Sequence, residues 1–228
     1  MLKDETLFNL ILNGCSKKGD FNNLYGVYEE MLNNGIKPIN ITMNTIIIIT
    51  GDLAAGKTSY GKKISNELKI PFFSKDEIKE VLYDSMNNND TDYESKRKIG
   101  KNSYDIFYYI IEQHLKVGLP IIAESNFGKE AIPVIKKLID KYNCKCITIR
   151  FEADLEVLHK RFLSREYSDE RHSGLVSNGM FDDYENFKKT HEKSREFKID
   201  DNEIIIDTTD FTTVDINAII KQLQERVK

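Results

Sequence analysis

The stretch TIIIITGDLAAGKTSYGKKIS, residues 45 to 65, constrains the fold more than any other part of the chain. Four consecutive isoleucines between threonines favour an extended strand, because β-branched side chains fit a pleated, buried surface. Residues 51 to 58 then read G-D-L-A-A-G-K-T, which satisfies G-x-x-x-x-G-K-[ST] at every fixed position. Average composition makes a chance match in a chain of this size on the order of one in a hundred. Past the loop, Tyr60, Ile64 and Leu68 recur at helical spacing. Strand, glycine loop and helix in that order are the setting in which this pattern cradles phosphate.

The spacing has a physical reason. Gly51 and Gly56 reach backbone angles closed to other residues. The chain between them, Asp52, Leu53, Ala54 and Ala55, can then turn successive N–H groups inward on an anion. A helix starting near Lys57 adds the positive end of its dipole. Lys57 supplies a point charge at the β- and γ-phosphates. The Thr58 hydroxyl is placed to ligate Mg²⁺, and Ser59 completes the nucleotide-binding stretch. A ligand-free turn would leave the Lys-Thr pair unexplained. The pattern therefore implies bound phosphates, with a metal ion at Thr58.

Further apolar runs read as strands: IPFF at 70 to 73, LPIIAES at 119 to 125, CITIRFE at 146 to 152 and EIIID at 203 to 207. They are continuous rather than alternating, as expected of strands covered on both faces. Helical patterns separate them, including Ile78, Val81 and Leu82 after Ser74 or Asp76 as a cap, and YDIFYYIIEQHLKVGLP, stopped by Gly118 and Pro120. The alternation predicts a three-layer α/β fold on a five-stranded parallel sheet. Residues 84 to 95 are Asn-rich and read as an exposed loop; residues 164 to 180 read as a longer polar loop.

With 40% hydrophobic and 31% charged residues the chain has ordinary globular composition. A net charge of −4 provides no overall basic field, which disfavours long nucleic acid as a partner. Cys15, Cys144 and Cys146 show no disulfide framework, and the last two read as core residues. No apolar run approaches the ~20 residues of a membrane span. The early acidic residues do not resemble a signal peptide. These features fit a cytoplasmic chain.

A phosphate cradle does not specify a reaction. The guanine-reading N-K-x-D is absent from the sequence, and the run nearest to a motor-type strand, PIIAES, ends in a lone Glu124. Small kinases are left as the leading class. Asp76, directly after the second strand in FFSKDEIKEVL, could accept a proton from an attacking hydroxyl or hold Mg²⁺ through water, or simply serve the helix start. Lys79 shares its helical face and could contact the acceptor or be a solvated lysine. Arg161, Arg165 and Arg171 straddle a helix end and a polar loop, where guanidinium groups can match charge on a transferring phosphoryl group. The interleaved Glu166, Asp169 and Glu170 also fit a plain charged surface.

The segments GDLAAGKTS, SKDEIKEVL, IIAESNF, RFLSRE…RHSG and IIIDTTDF stand in the order found in one group of P-loop kinases. Residues 43 to about 211 resemble the group that includes polynucleotide 5′-hydroxyl kinases, zeta toxins and chloramphenicol phosphotransferase. The resemblance implies transfer of the γ-phosphoryl group of ATP to a hydroxyl, with Asp76 as general base. It implies that Arg165 and Arg171 belong to a lid, and that Glu124 and Asn126 line the acceptor pocket. The acceptor stays open among a small molecule, a nucleotide and a nucleic-acid end. A regulatory NTPase, or an RNA-binding adaptor holding nucleotide for structure, remains as an alternative.

Residues 1 to 42 resemble a single pentatricopeptide repeat through Asn9, Gly14, Gly19, Met31, Gly35 and Pro38. One repeat cannot bury its own apolar face. A helical hairpin packed on the kinase domain, residues 43 to 228, or on a second copy of the chain is therefore expected, and offers a route to oligomers.

Overall fold

A computed structural model describes residues 44–86, 93–200 and 202–227. The hairpin expected over residues 1 to 42 lies outside them. The described chain builds a five-stranded parallel sheet in the order β2-β3-β1-β4-β5. The strands are β1 (Thr45–Gly51), β2 (Phe72–Ser74), β3 (Ile121–Glu124), β4 (Lys145–Glu152) and β5 (Ile204–Asp207). The helices are α1 (Lys57–Leu68), α2 (Lys75–Ser85), α3 (Tyr93–Lys116), α4 (Ala131–Tyr142), α5 (Leu155–Glu166), α6 (Tyr184–Ser194) and α7 (Ile216–Val227).

β1 is central, and all seven of its residues are buried. Successive side chains of a strand point to opposite faces, so its isoleucines divide between two cores. Ile47 and Ile49 pack with Ile64 of α1, Phe162 of α5 and Leu223 of α7. Ile46 and Ile48 pack with Phe107 and Ile111 of α3 and Ile135 of α4. Two apolar layers on one sheet require strands without a polar face, and TIIIIT has none. Cys144 and Cys146 are free thiols at the second core, as expected for packing residues.

Three expectations shift. The second strand lies at Phe72–Ser74 rather than 70 to 73, because parallel pairing draws Ser74 opposite Glu124. The Asn-rich loop is shorter than expected: α2 continues to Ser85 and α3 begins at Tyr93. Ile99, Phe107, Ile111 and Leu115 are all buried at spacings of one helical face, which extends α3 backwards through polar sequence. Helix α6 carries no apolar stripe that marks it in the sequence. Its hold on the core is Phe187, packed on Phe162 at 5.4 Å between ring centroids. Among the described residues no helix is long and apolar enough to cross a membrane.

One buried charge ties β4 to the segments packed beside it. Arg150 of β4 donates from Nε and Nη2 to the two carboxylate oxygens of Glu203, at 2.7 and 2.9 Å. It also donates to the carbonyls of Ser194 and Phe197, tying the end of α6 to β4. Removing one partner of a buried pair leaves the other uncompensated. Glu203→Ala is therefore expected to destabilise the protein by about 3 kcal/mol in urea unfolding.

Candidate active site

The site grows from the end of β1. Gly51 has φ +124, and a Cβ there would lie 2.0 Å from the carbonyl oxygen of Phe151, so only glycine lets β1 run this close to β4. Ala54 and Gly56 also have positive φ, at 61° and 79°. The alternating backbone curls the loop over the start of α1. Gly56 is the N-cap of α1 and makes no side-chain cap, and the first turn holds no acid. The amides of that turn are left to a ligand, at the positive end of the dipole.

Lys57 follows at once. Its side chain is buried and donates from Nζ to the Asp52 carbonyl at 2.5 Å. Burial draws its affinity for a proton down, while Glu124, Asp76 and Asp52 oppose that. Thr58 donates from Oγ1 to Glu124 Oε2 at 3.2 Å. Burial pushes the Glu124 carboxyl above its usual range, against the pull of Lys57 and of hydrogen bonds from Ser74 and Thr58. Thr58 and Glu124 thus form one corner with oxygen ligands suited to a hard cation. Among the described residues no cluster of three or more His, Cys, Asp or Glu could hold a metal alone. Mg²⁺ typically shares its ligands with substrate phosphates, and the Thr58–Glu124 corner fits that role.

Asp76 sits in the first turn of α2. The N-cap position belongs to Ser74, whose side chain makes no cap bond; its hydroxyl serves Glu124 instead. Lys75 Nζ lies 2.6 Å from Asp76 Oδ1 and 5.0 Å from the ring centre of Tyr104. Burial works to raise the Asp76 carboxyl, but Lys75, Lys57 and Lys79 outweigh it and hold it below its usual range. Asp76 is thus ionised at neutral pH and able to accept a proton.

The polar loop after α5 is folded. Glu166, read from sequence as a surface acid, is buried; it takes Arg171 Nε at 3.1 Å and the Ser177 amide. Arg171 also donates to the Leu175 carbonyl at 2.8 Å. Gly174 lies flat on Tyr83 of α2, where a Cβ would be 2.8 Å from Tyr83 Cγ. His172 Nδ1 accepts from the Gly174 amide, and its Nε2 is 3.1 Å from Asp84 Oδ1. The loop is docked on α2, which brings its arginines over the cradle.

One cavity of about 110 Å³ gathers these groups. Leu53, Ala54 and Gly56 to Ser59 form one wall; Asp76, Glu124 and Asn126 form another; Arg165 and Arg171 close a third. Gly51, Asp52 and Ala55 belong to the same loop but do not line the cavity. Asp52 is buried, takes the Ser194 hydroxyl at 2.8 Å and lies 2.9 Å from His191 Nδ1, so it anchors the loop to α6. Lys79 does not line the cavity; it stands against Gly100 of α3 and acts on Asp76 through its charge. Arg161 also departs from the expected lid. It donates to the carbonyls of Thr208 and Thr209 at 2.7 and 2.9 Å and stacks 3.8 Å from the Phe211 ring centre. That ring lies beside Gly56, where a Cβ would come within 2.9 Å of it. Phe211 closes the IIIDTTDF segment of the resemblance, but its place beside Gly56 is not readable from the sequence, because it reaches the site through the loop after β5.

No family model matches the chain, and no curated protein matches it. Solved structures do. A protein from Chloroflexus aurantiacus, provisionally described as a kinase, is 28% identical with a TM-score of 0.70, over 80% of this chain and 98% of its own. A gluconokinase from Sinorhizobium meliloti is 14% identical with a TM-score of 0.47, over 82% of this chain and 93% of its own. A shikimate kinase from Bacteroides thetaiotaomicron is 16% identical with a TM-score of 0.46, over 80% and 98%. The last two carry no weight here. The fold of the described residues is that of P-loop kinases.

The raised Glu124 carboxyl has a measurable sign. Folding disfavours its ionised form, so ionisation removes stability as pH rises from the ordinary glutamate range through the folded pKa. Glu124→Gln is expected to raise the melting temperature of ligand-free protein by a few degrees at neutral pH. The gain should shrink as pH falls through that window, in paired thermal scans.

Proposed function

We propose that this protein is an ATP-dependent phosphotransferase that moves the γ-phosphoryl group onto a hydroxyl of a small molecule. The observation that carries the reading is the single cavity in which Lys57 and Thr58 meet Asp76, Arg165 and Arg171. A loop that only held nucleotide would have no need of an ionised carboxylate facing the cradle.

ATP, with Mg²⁺ neutralising its oxygens, supplies the transferable group. The residues of the chain do the rest. The amides of the glycine loop and Lys57 hold the β- and γ-phosphates. Thr58 and Glu124 would hold the metal, which would neutralise charge on the phosphate oxygens. Arg165 and Arg171 match charge that spreads over the transferring oxygens, and guanidinium forks do this bidentately. Asp76 takes the proton of the acceptor hydroxyl as its oxygen bonds to phosphorus and the bond to the leaving β-phosphate oxygen breaks. Arg161 and Phe211 offer a flat surface beside Gly56 for the nucleobase. The reading of a regulatory NTPase gives Asp76 and the arginine pair no task.

Asp76→Asn keeps the shape and removes the proton acceptor. It should lower kcat by roughly 10²- to 10⁴-fold while changing ATP affinity by about twofold or less. Phosphate transfer and calorimetry with ATP would show this, and normal turnover per folded molecule would sink the reading. Lys57→Ala should lose both turnover and most ATP affinity, because the charge at the β- and γ-phosphates is gone.

A further inference from the structure

A second and larger cavity of about 640 Å³ adjoins the phosphate pocket. Asn126 belongs to both walls. A molecule whose hydroxyl points at Asp76 can therefore extend past Asn126 into this groove. Tyr104 and Tyr108 of α3 line one side, with their rings stacked at 5.9 Å and 26°. Tyr104 is fixed through its hydroxyl, 3.0 Å from Ser125 Oγ. Gly128 to Ala131, the turn into α4, and Glu196 complete the walls.

The groove differs from the phosphate pocket in charge. The start of α4 would ordinarily attract an anion, but its amides are spent. The Ala131 amide bonds to the Gly128 carbonyl at 3.0 Å, and the Ile132 amide to the Lys129 carbonyl at 3.2 Å. The third helical residue is Pro133, which has no N–H. The one cation in the lining, Lys129, is paired with Glu196 at 3.0 Å. Lys129, Glu130 and Glu196 together sum to −1. What the groove does offer is acceptors. They are the carboxylates of Glu130 and Glu196, with the Asn126 side chain at the boundary to the phosphate pocket. Glu130 bends back over Gly128, where a Cβ would lie 2.5 Å from its Oε2.

We propose that this groove is the distal part of the acceptor site, and that it takes a ring-bearing hydroxyl compound whose far end donates hydrogen bonds, as hydroxyl or ammonium, and carries no phosphate or carboxylate. The proposal rests on the kinase reading and narrows it. Tyr104 is already engaged by Tyr108 and Lys75, so Tyr108 is the aromatic surface on offer to a flat ring or a cation. Two carboxylates against a single, already paired cation disfavour a ligand that brings negative charge of its own. A nucleic-acid end, with phosphate beyond the reacting sugar, is then the wrong substrate.

A set of para-substituted benzyl alcohols tests this, since the reacting hydroxymethyl group stays constant. The para group is aminomethyl, hydroxymethyl, carboxylate or methyl phosphate. Adenosine and adenosine 3′-monophosphate form a second pair. Binding is measured by calorimetry on the full chain, loaded with a non-hydrolysable ATP analogue. The amine and the diol should bind at least about tenfold more tightly than the two anions, and adenosine more tightly than its 3′-phosphate. Glu130→Gln should weaken the amine by about threefold and leave the diol unchanged, as expected for a partly screened charge. Tyr108→Ala should weaken both, with the melting temperature as the check on folding. Equal or tighter binding of the anions, or binding of neither class, overturns the proposal while the kinase reading stands. Failure to bind the ATP analogue is a different result, and removes both.

Discussion

Lys57 lies at 7% exposure, where burial lowers its affinity for a proton. The protein answers with acceptors and opposite charge. The Asp52 carbonyl takes Nζ directly, and Glu124 and Asp76 stand within electrostatic reach. Each of these acids is placed by a different strand end: Asp52 after β1, Asp76 after β2, Glu124 on β3. The sheet order sets this arrangement, because β3 lies between β2 and β1 and brings all three ends together. The catalytic cavity is in this sense the solvation shell of one buried cation.

The two carboxylates nearest that cation have opposite tendencies. Glu124 shares its acceptors with Thr58 and Ser74 but is too buried to be comfortable as an anion. Asp76 is surrounded by Lys75, Lys57 and Lys79 and is held ionised. Environments that push two acids apart assign them different tasks. The ionised Asp76 is suited to take a proton, while Glu124 gains most from an added cation at Thr58.

The arginine loop shows the same economy of charge. Arg171 is not a free surface residue; Glu166 neutralises it from below and the Leu175 carbonyl fixes its direction. The loop then rests on α2 through Gly174, His172 and Tyr83. Since α2 also carries Asp76, the docked loop and Asp76 share one support. The two cavities that share Asn126 differ in charge, cation-rich on the phosphate side and cation-poor on the other.

The sequence by itself determined the central strand, the phosphate loop and the parallel α/β layout. These are local or periodic: four isoleucines need two cores, and two glycines at a fixed separation need a loop that closes on an anion. It also marked Asp76 directly after the second strand and Arg165 and Arg171 around a helix end and loop, while the resemblance to a kinase group pointed to Glu124 and Asn126. Their meeting in one cavity was not readable, since they are separated by up to about a hundred residues and joined only by sheet order. Glu166 looked like a surface acid because burial is not visible in a charged run. Arg161 looked equivalent to Arg165, yet one helical turn directs it to the Thr208 and Thr209 carbonyls and to Phe211 instead. Polar sequence hid the first turns of α3 and all of α6, where packing of Ile99 and Phe187 outweighed weak periodicity. Tertiary structure decided these points, because burial, charge pairing and loop docking depend on what the fold brings alongside a residue rather than on the residue's neighbours in the chain.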